Sequence, residues 1–152
     1  MGTAHIWVDA DSFPAPARLQ ILKEAAARRL PVTYAANRDI PFGMDDELFS
    51  MEICGGGTGA ADDYIVSHCT AGDIVATRDI PLARRLLDKK ITVINDRGTQ
   101  FSETNIAELL EQRELSMQMA ALGIRPGGRK NTYGNKELAA FTECLKRVLS
   151  GI

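Results

Sequence analysis

Short apolar runs alternate along most of the chain with segments whose apolar residues return every three or four positions. Runs such as IWV, IVAT and ITVI are apolar at consecutive positions. A strand of that kind needs cover on both faces, which is the signature of a mostly parallel sheet sandwiched by helices. Strands are predicted over residues 5–8, 32–36, 50–54, 73–77 and 91–94. Between the first two, Ala15, Leu19, Leu22 and Ala26 recur at helical spacing, with Pro14 and Pro16 near the start, where a missing N–H is tolerated. Further helices are predicted over about 60–69, 81–87, 104–112, 114–122 and 136–149. NDRGTQFS reads as a turn or short hairpin, and GIRPGGRKNTYGN as a loop. The expected fold is α/β: five strands, mostly parallel, flanked by helices in three layers.

The ends of these strands carry acids. Asp9 and Asp11 follow the first strand directly, and Asp79 lies two residues past the fourth. In open α/β sheets, ligands bind outside the carboxyl ends of strands, where strand order reverses. If the first and fourth strands are neighbours, these acids share one edge. Helix geometry then separates Asp62 from Asp63. At about 100° per residue, Ala61, Ile65, Val66, His68 and Cys69 form one apolar arc; Asp62 falls inside it, and Asp63 lies with Ser67 on the polar side. Asp62 is thus expected to face the sheet.

Converging carboxylates repel, and without a cation at least one should take up a proton. A hard divalent cation, Mg²⁺ or Mn²⁺, removes that penalty through oxygen ligands. Such an ion suits phosphoryl chemistry, because it can activate water and neutralise developing charge on a phosphate. The competing reading is that each Asp separately caps a helix or fixes a turn. Asn37, Asn95 and Asp96, also at strand ends, could contact substrate at the same edge or serve as turn residues. The glycine-rich GGGTGAADD lacks the GK[ST] ending of a phosphate-binding loop, so turn flexibility explains it better than a cofactor.

Composition narrows the class. With 152 residues, 45% hydrophobic and 25% charged, the chain has the size and balance of one globular domain spanning 1–152. Its apolar runs are too short to span a bilayer, and MGTAHIWVDAD has no basic start, unlike a secretory signal, so cytoplasmic residence is expected. Cys54, Cys69 and Cys144 lack CxxC spacing and read as small buried hydrophobes without a disulfide partner. From Arg125 onward six basic residues stand against two acidic ones, whereas the rest of the chain is acidic. A basic loop and C-terminal helix, from about 123 to 152 and including Arg129 and Lys130, is therefore a candidate contact for a polyanion.

Taken together, WVDADSFP, ADDYI, GDIVATRDIPLA, NDRG followed by SETNI, and the late PGG resemble the bacterial YaiI/YqxD family, in order from about Ile6 to Phe141. That family is regarded as similar to PIN-domain nucleases, whose parallel sheet gathers acids at its carboxyl edge. The resemblance implies a PIN-like three-layer domain, with Asp9, Asp11, Asp62 and Asp79 as the acidic cluster. It also implies Asn37, Thr77, Asn95 and Arg97 as polar edge residues. Three positions depart from the family pattern: Phe13 where Cys is common, Gly59 where an acid is common, and Arg78 where a small residue is usual. Arg78, beside Asp79, could pair with the cluster.

The leading functional expectation is a divalent-metal-dependent phosphodiesterase or nuclease acting on RNA or single-stranded DNA. Asp9, Asp62 and Asp79 are its expected metal ligands, and Asp11 a ligand or base. Asn37, Thr77, Asn95, Arg97, Arg129 and Lys130 are the expected substrate contacts. The alternative is a nucleic-acid or nucleotide binding module of the same fold without catalysis. A haloacid-dehalogenase-like phosphatase fits less well, because there the acidic metal motif follows the Ser/Thr-ended strand, whereas Asp62 precedes Thr77.

Overall fold

A computed structural model describes residues 4–57, 59–124 and 133–151. Its elements are β1 (Ile6–Asp9), α1 (Ala15–Arg28), β2 (Val32–Ala36), β3 (Phe49–Ile53), α2 (Ala60–His68), β4 (Ile74–Ala76), α3 (Ile80–Leu87), β5 (Thr92–Ile94), α4 (Glu103–Ala121) and α5 (Asn135–Ser150). The five strands lie in the order β3-β2-β1-β4-β5, and every neighbouring pair is parallel. The chain thus builds outward from β1 on one side, then returns to β1 and builds outward on the other. β1, β2 and β4 are buried along their whole length, as their uniform apolarity requires.

Alternation along the strands divides the core into two layers. Ile6, Val8, Tyr34 and Ala76 face α1 and α5, where Ile21, Leu22, Phe141 and Leu145 complete one cluster. Trp7, Ala35, Val75 and Val93 face the opposite way, onto Ile65 of α2, Leu82 and Leu86 of α3, and Ile106 of α4. This is the three-layer arrangement expected of a PIN-like domain.

Two helices differ from the sequence reading. In α1 the buried stripe is Ala17, Ile21, Leu22 and Ala25, while Leu19 is 37% exposed. The segment is rich in alanine, so several stripes have similar apolarity, and the one that turns inward is the one carrying both Ile21 and Leu22. The helices predicted over 104–112 and 114–122 are one continuous helix, α4, because Arg113 between them is a good helix former. Its start is fixed by Ser102, which accepts from the Asn105 N–H while the Asn105 side chain accepts from the Ser102 N–H. Beyond Leu110, all of α4 except Met119 is exposed.

The NDRG segment folds as a tight turn after β5. The Asn95 side-chain oxygen accepts from the Arg97 and Thr99 N–H groups, and the Asn95 N–H donates to the Thr99 carbonyl. The turn is docked against the start of α5: the Tyr133 hydroxyl donates to the Asp96 carbonyl at 2.6 Å. Gly98 has φ +90°, and a Cβ there would meet the Ala140 carbonyl oxygen at 2.7 Å. Gly98→Ala should lower stability by about 2 kcal/mol or more through backbone strain and overpacking. Thermal melting checks this, and an unchanged midpoint would mean that the turn does not need this close approach.

Candidate functional site

The reversal of strand order falls between β1 and β4, which pair directly from Ile6 with Ile74 to Val8 with Ala76. Asp9 ends β1 and Thr77 follows β4, so the two side chains meet at the crevice where ligands bind in such sheets. Asp9 is 6% exposed. Its Oδ2 accepts from the Ser12 hydroxyl and from the Thr77 hydroxyl, each at 2.8 Å. Thr77 in turn accepts from the Asp79 N–H at 3.0 Å. A chain of hydrogen bonds therefore runs from the backbone of Asp79 through a fully buried hydroxyl to the carboxylate of Asp9. Thr77, an expected substrate contact, is engaged in orienting Asp9.

Asp79 caps α3. Its Oδ1 accepts from the Leu82 N–H at 2.9 Å, so the local role weighed from the sequence is real for this residue. Oδ2 makes no hydrogen bond among the described residues. Asp62 lies in the first turn of α2, half-buried, and its carboxylate makes no hydrogen bond or ion pair among the described residues. Asp63 is exposed and pairs with Arg85 at 3.0 Å, so the helical arc separates the two acids as expected. His68, placed on the same arc, is instead exposed; its ring stacks on Tyr64 and its Nδ1 bonds the Tyr64 carbonyl.

The electrostatics tie three of these acids together. Burial raises the Asp62 carboxyl to about 6, and the charges of Asp9 and Asp79 push it in the same direction, with Arg85 opposing. Burial also raises the Asp9 carboxyl. The Ser12 and Thr77 hydroxyls offset part of that, while Asp79 and Asp11 add to it. Asp11 points elsewhere: its Oδ2 accepts from the Asn37 N–H at 2.7 Å and its Oδ1 pairs with Arg38 at 3.4 Å. Asn37 thus meets Asp11 through its backbone, and its side chain is exposed. A contrasting acid at the opposite sheet edge gives the scale. Asp73 is 7% exposed, yet it accepts from the His5 and Thr70 N–H groups and the Trp7 indole N–H. Its charge is satisfied by donors, which is what Asp62 lacks.

Among the described residues, no three His, Cys, Asp or Glu side chains are gathered closely enough to hold one ion. The cluster is an arrangement of neighbouring charges with unused oxygens and not a closed cage. Its donor set, hard carboxylate oxygens with excess negative charge, still fits a hard divalent cation better than a soft one. Ser12 is a site residue that the sequence reading missed; a hydroxyl three residues after a strand-end Asp, in position to donate back to it, was the available signal. Arg78 does not join the cluster but pairs with Asp96 at 3.4 Å. The Asn95 side chain is taken up by its own turn, and Arg97 lines a cleft with Arg78. Arg129 and Lys130 lie outside the described residues. The three cysteines are free, with Cys69 and Cys144 buried and Cys54 partly so. Among the described residues no helix is long and apolar enough to cross a membrane.

The sequence pattern of the family described as "Uncharacterized BCR, YaiI/YqxD family" matches residues 7–151. A UPF0178 protein of Treponema denticola is 41% identical over 145 residues, covering 95% of this chain and 91% of that protein. A UPF0178 protein of Pseudoalteromonas atlantica is 37% identical over 95% of this chain and 97% of its own length. For one from Treponema pallidum the figures are 37%, 93% and 79%. No solved structure matches the chain.

The raised Asp62 carboxyl has a stability consequence whose sign is fixed. The folded form holds the proton up to about 6, the unfolded form only to 3.8, so this group favours folding below 3.8 and loses that contribution as pH rises through 6. In metal-free buffer at neutral pH, Asp62→Asn should stabilise the fold by about 1 kcal/mol, discounted for partial solvent screening. The gain should vanish below pH 3.8. Denaturant melts of both chains across this range measure it; a destabilised variant at neutral pH would mean that Asp62 is satisfied by a local donor.

Proposed function

We propose that this chain, which belongs to the YaiI/YqxD family, is a divalent-metal-dependent phosphodiesterase that cleaves RNA or single-stranded DNA at the Asp9, Asp62 and Asp79 cluster. The observation that carries the reading is the convergence of acids from β1, α2 and the segment after β4 at the strand-order switch point, where burial, then the charges of Asp9 and Asp79, raise the Asp62 carboxyl and no hydrogen-bond donor reaches it among the described residues. Such a charge excess is costly in the empty fold and is removed by a cation.

Asp9, Asp62 and Asp79 would hold Mg²⁺ or Mn²⁺ through their unused oxygens. A bound ion supplies an activated water and charge neutralisation at the phosphate. The chain's own residues do the rest. Ser12 and Thr77 hold Asp9 in one orientation, so the carboxylate is positioned before any ligand arrives. Capping by Asp79 couples its position to the first turn of α3. Asp11, fastened to the loop after β2, adds negative field beside Asp9 and stands as the candidate base nearest the solvent.

The second reading, a binding module of the same fold without catalysis, draws on the lack of a gathered three-ligand group among the described residues. It predicts salt-sensitive, metal-indifferent binding of nucleic acid.

Two measurements separate the readings. Mn²⁺ or Mg²⁺ should raise the melting temperature of the native chain, by an amount equivalent to about 2.7 kcal/mol at a hundred times the dissociation constant. It should do so far less for Asp79→Asn. Cleavage of a labelled single-stranded oligonucleotide with Mn²⁺ should fall about 100-fold or more in Asp9→Asn. Glu47→Gln, altering an exposed acid that precedes β3 at the opposite sheet edge and pairs with Arg29, should leave it unchanged. Absence of cleavage by the native chain, with binding intact in chelator, would favour the module.

A further inference from the structure

Beside the carboxylate cluster, beyond the carboxyl ends of β4 and β5, lies a cleft of about 200 Å³. Arg78 and Arg97 flank it, and Ile80, Phe101 and Leu109 form its apolar wall. Asp96 also lines it, although that side chain is almost fully buried, and its Oδ2 makes no hydrogen bond among the described residues. The nearest cation is the Arg78 guanidinium, with Nε at 3.4 Å from Oδ2.

A buried carboxylate facing one half-exposed arginine is a poor source of stability, because such a pair rarely regains what desolvation of the acid costs. The arrangement does restrict Arg78. A guanidinium offers five donors in a rigid fork, and those not directed at Asp96 make no hydrogen bond among the described residues. Arg97 likewise makes no side-chain hydrogen bond or ion pair among them. Two arginines with unused donors, one tethered, line the same small cleft. Arg78 is also bonded directly to Thr77 and Asp79, so the cleft adjoins the acids without a gap in the chain.

We propose that Arg78, positioned by buried Asp96, forms with Arg97 a subsite for a second phosphate of the substrate, next to the one at the carboxylate cluster. The inference rests on the phosphodiesterase reading and narrows its substrate: a chain with at least two consecutive phosphates is preferred to a single phosphodiester. The apolar wall of Ile80, Phe101 and Leu109 suits the base or sugar joined to that phosphate. Asp96 is a positioning residue and Arg78 the contact.

The test uses the full chain in chelator with a short labelled single-stranded oligonucleotide, and follows affinity against salt by fluorescence anisotropy. Arg78→Ser, at an exposed position, should weaken binding about tenfold and reduce the magnitude of the salt slope by about 0.7, the value for one lost phosphate contact on a single strand. Asp96→Asn is the sharper arm. It removes a negative charge, so general electrostatics would tighten binding of a polyanion, whereas loss of positioning weakens it. The double variant should bind no worse than Arg78→Ser alone, since both changes act on one contact. Unchanged affinity and slope in Arg78→Ser would overturn the subsite, and tighter binding by Asp96→Asn would overturn the positioning role. Cleavage with Mn²⁺, measured on the same proteins, keeps the two readings apart. Arg78→Ser should raise KM with kcat little changed. Cleavage that ignores Arg78 sinks the subsite alone, while an Arg78-dependent slope in a chain that never cleaves sinks hydrolysis alone.

Discussion

The parallel pairing of β1 with β4 is the constraint on which the rest of the molecule depends. It joins two halves built outward in opposite directions, and it brings a strand that ends in Asp9 beside one followed by Thr77, Arg78 and Asp79. Both strands are buried on both faces, so their register cannot slip without exposing apolar residues or burying polar ones. The packing that fixes the register therefore also fixes the acids. Asp62 then arrives from α2, whose apolar side must cover Trp7 and Ala35, and the acid on that side follows inward.

Two buried acids on opposite edges show what the fold does with a carboxylate when charge is only a structural matter and when it is left over. Asp73 receives backbone and indole donors until its demand is met. Asp62 receives none among the described residues, and Asp9 receives two hydroxyls, which orient a carboxylate but bring no positive charge to it. The difference is not one of exposure, since Asp9 is as buried as Asp73. It is one of compensation, and compensation is the quantity a bound cation would supply.

The strands and the edge they share were legible in the sequence, because a doubly buried strand must be apolar on both faces and few other elements are. That Asp62 and not Asp63 turns toward the sheet was legible for a similar reason: one helical arc was apolar enough to have a single orientation. Where several arcs were similarly apolar, as in α1, the spacing left the choice open, and the arc that carries both Ile21 and Leu22 is the buried one. In α4 both halves were legible as helix and only the break between them was not real, since Arg113 at the join favours the helix that runs through it. At the site, side-chain donors were the least legible feature. Thr77 reaches Asp9 from the neighbouring strand, and a hydrogen bond between residues so distant in sequence leaves no spacing pattern, whereas Ser12, three residues after Asp9, left a local one. Dual roles were hidden too. Asp79 caps α3 while its charge also raises the Asp62 carboxyl, so a local structural role does not keep it apart from the other acids.

An acidic edge poses a problem for any phosphate-bearing ligand, since the charges that would attract a cation repel the substrate. On the proposed reading, the fold answers by placing opposite charge beside the acids and not among them. Arg85 already opposes the raised Asp62 carboxyl while its own partner is Asp63 outside the cluster. Arg38 is held by Asp11 on one flank, and Arg78 by Asp96 on the other. Each guanidinium is thus kept by an acid of its own, so none collapses onto Asp9, Asp62 or Asp79 to neutralise them. Were Arg78 to pair with Asp79, the cluster would lose the excess charge that a cation requires, and the neighbouring cleft would lose its anchor. Tethering the cations to separate acids keeps the two fields distinct at close range, which is the arrangement that binding a metal and a phosphate side by side demands.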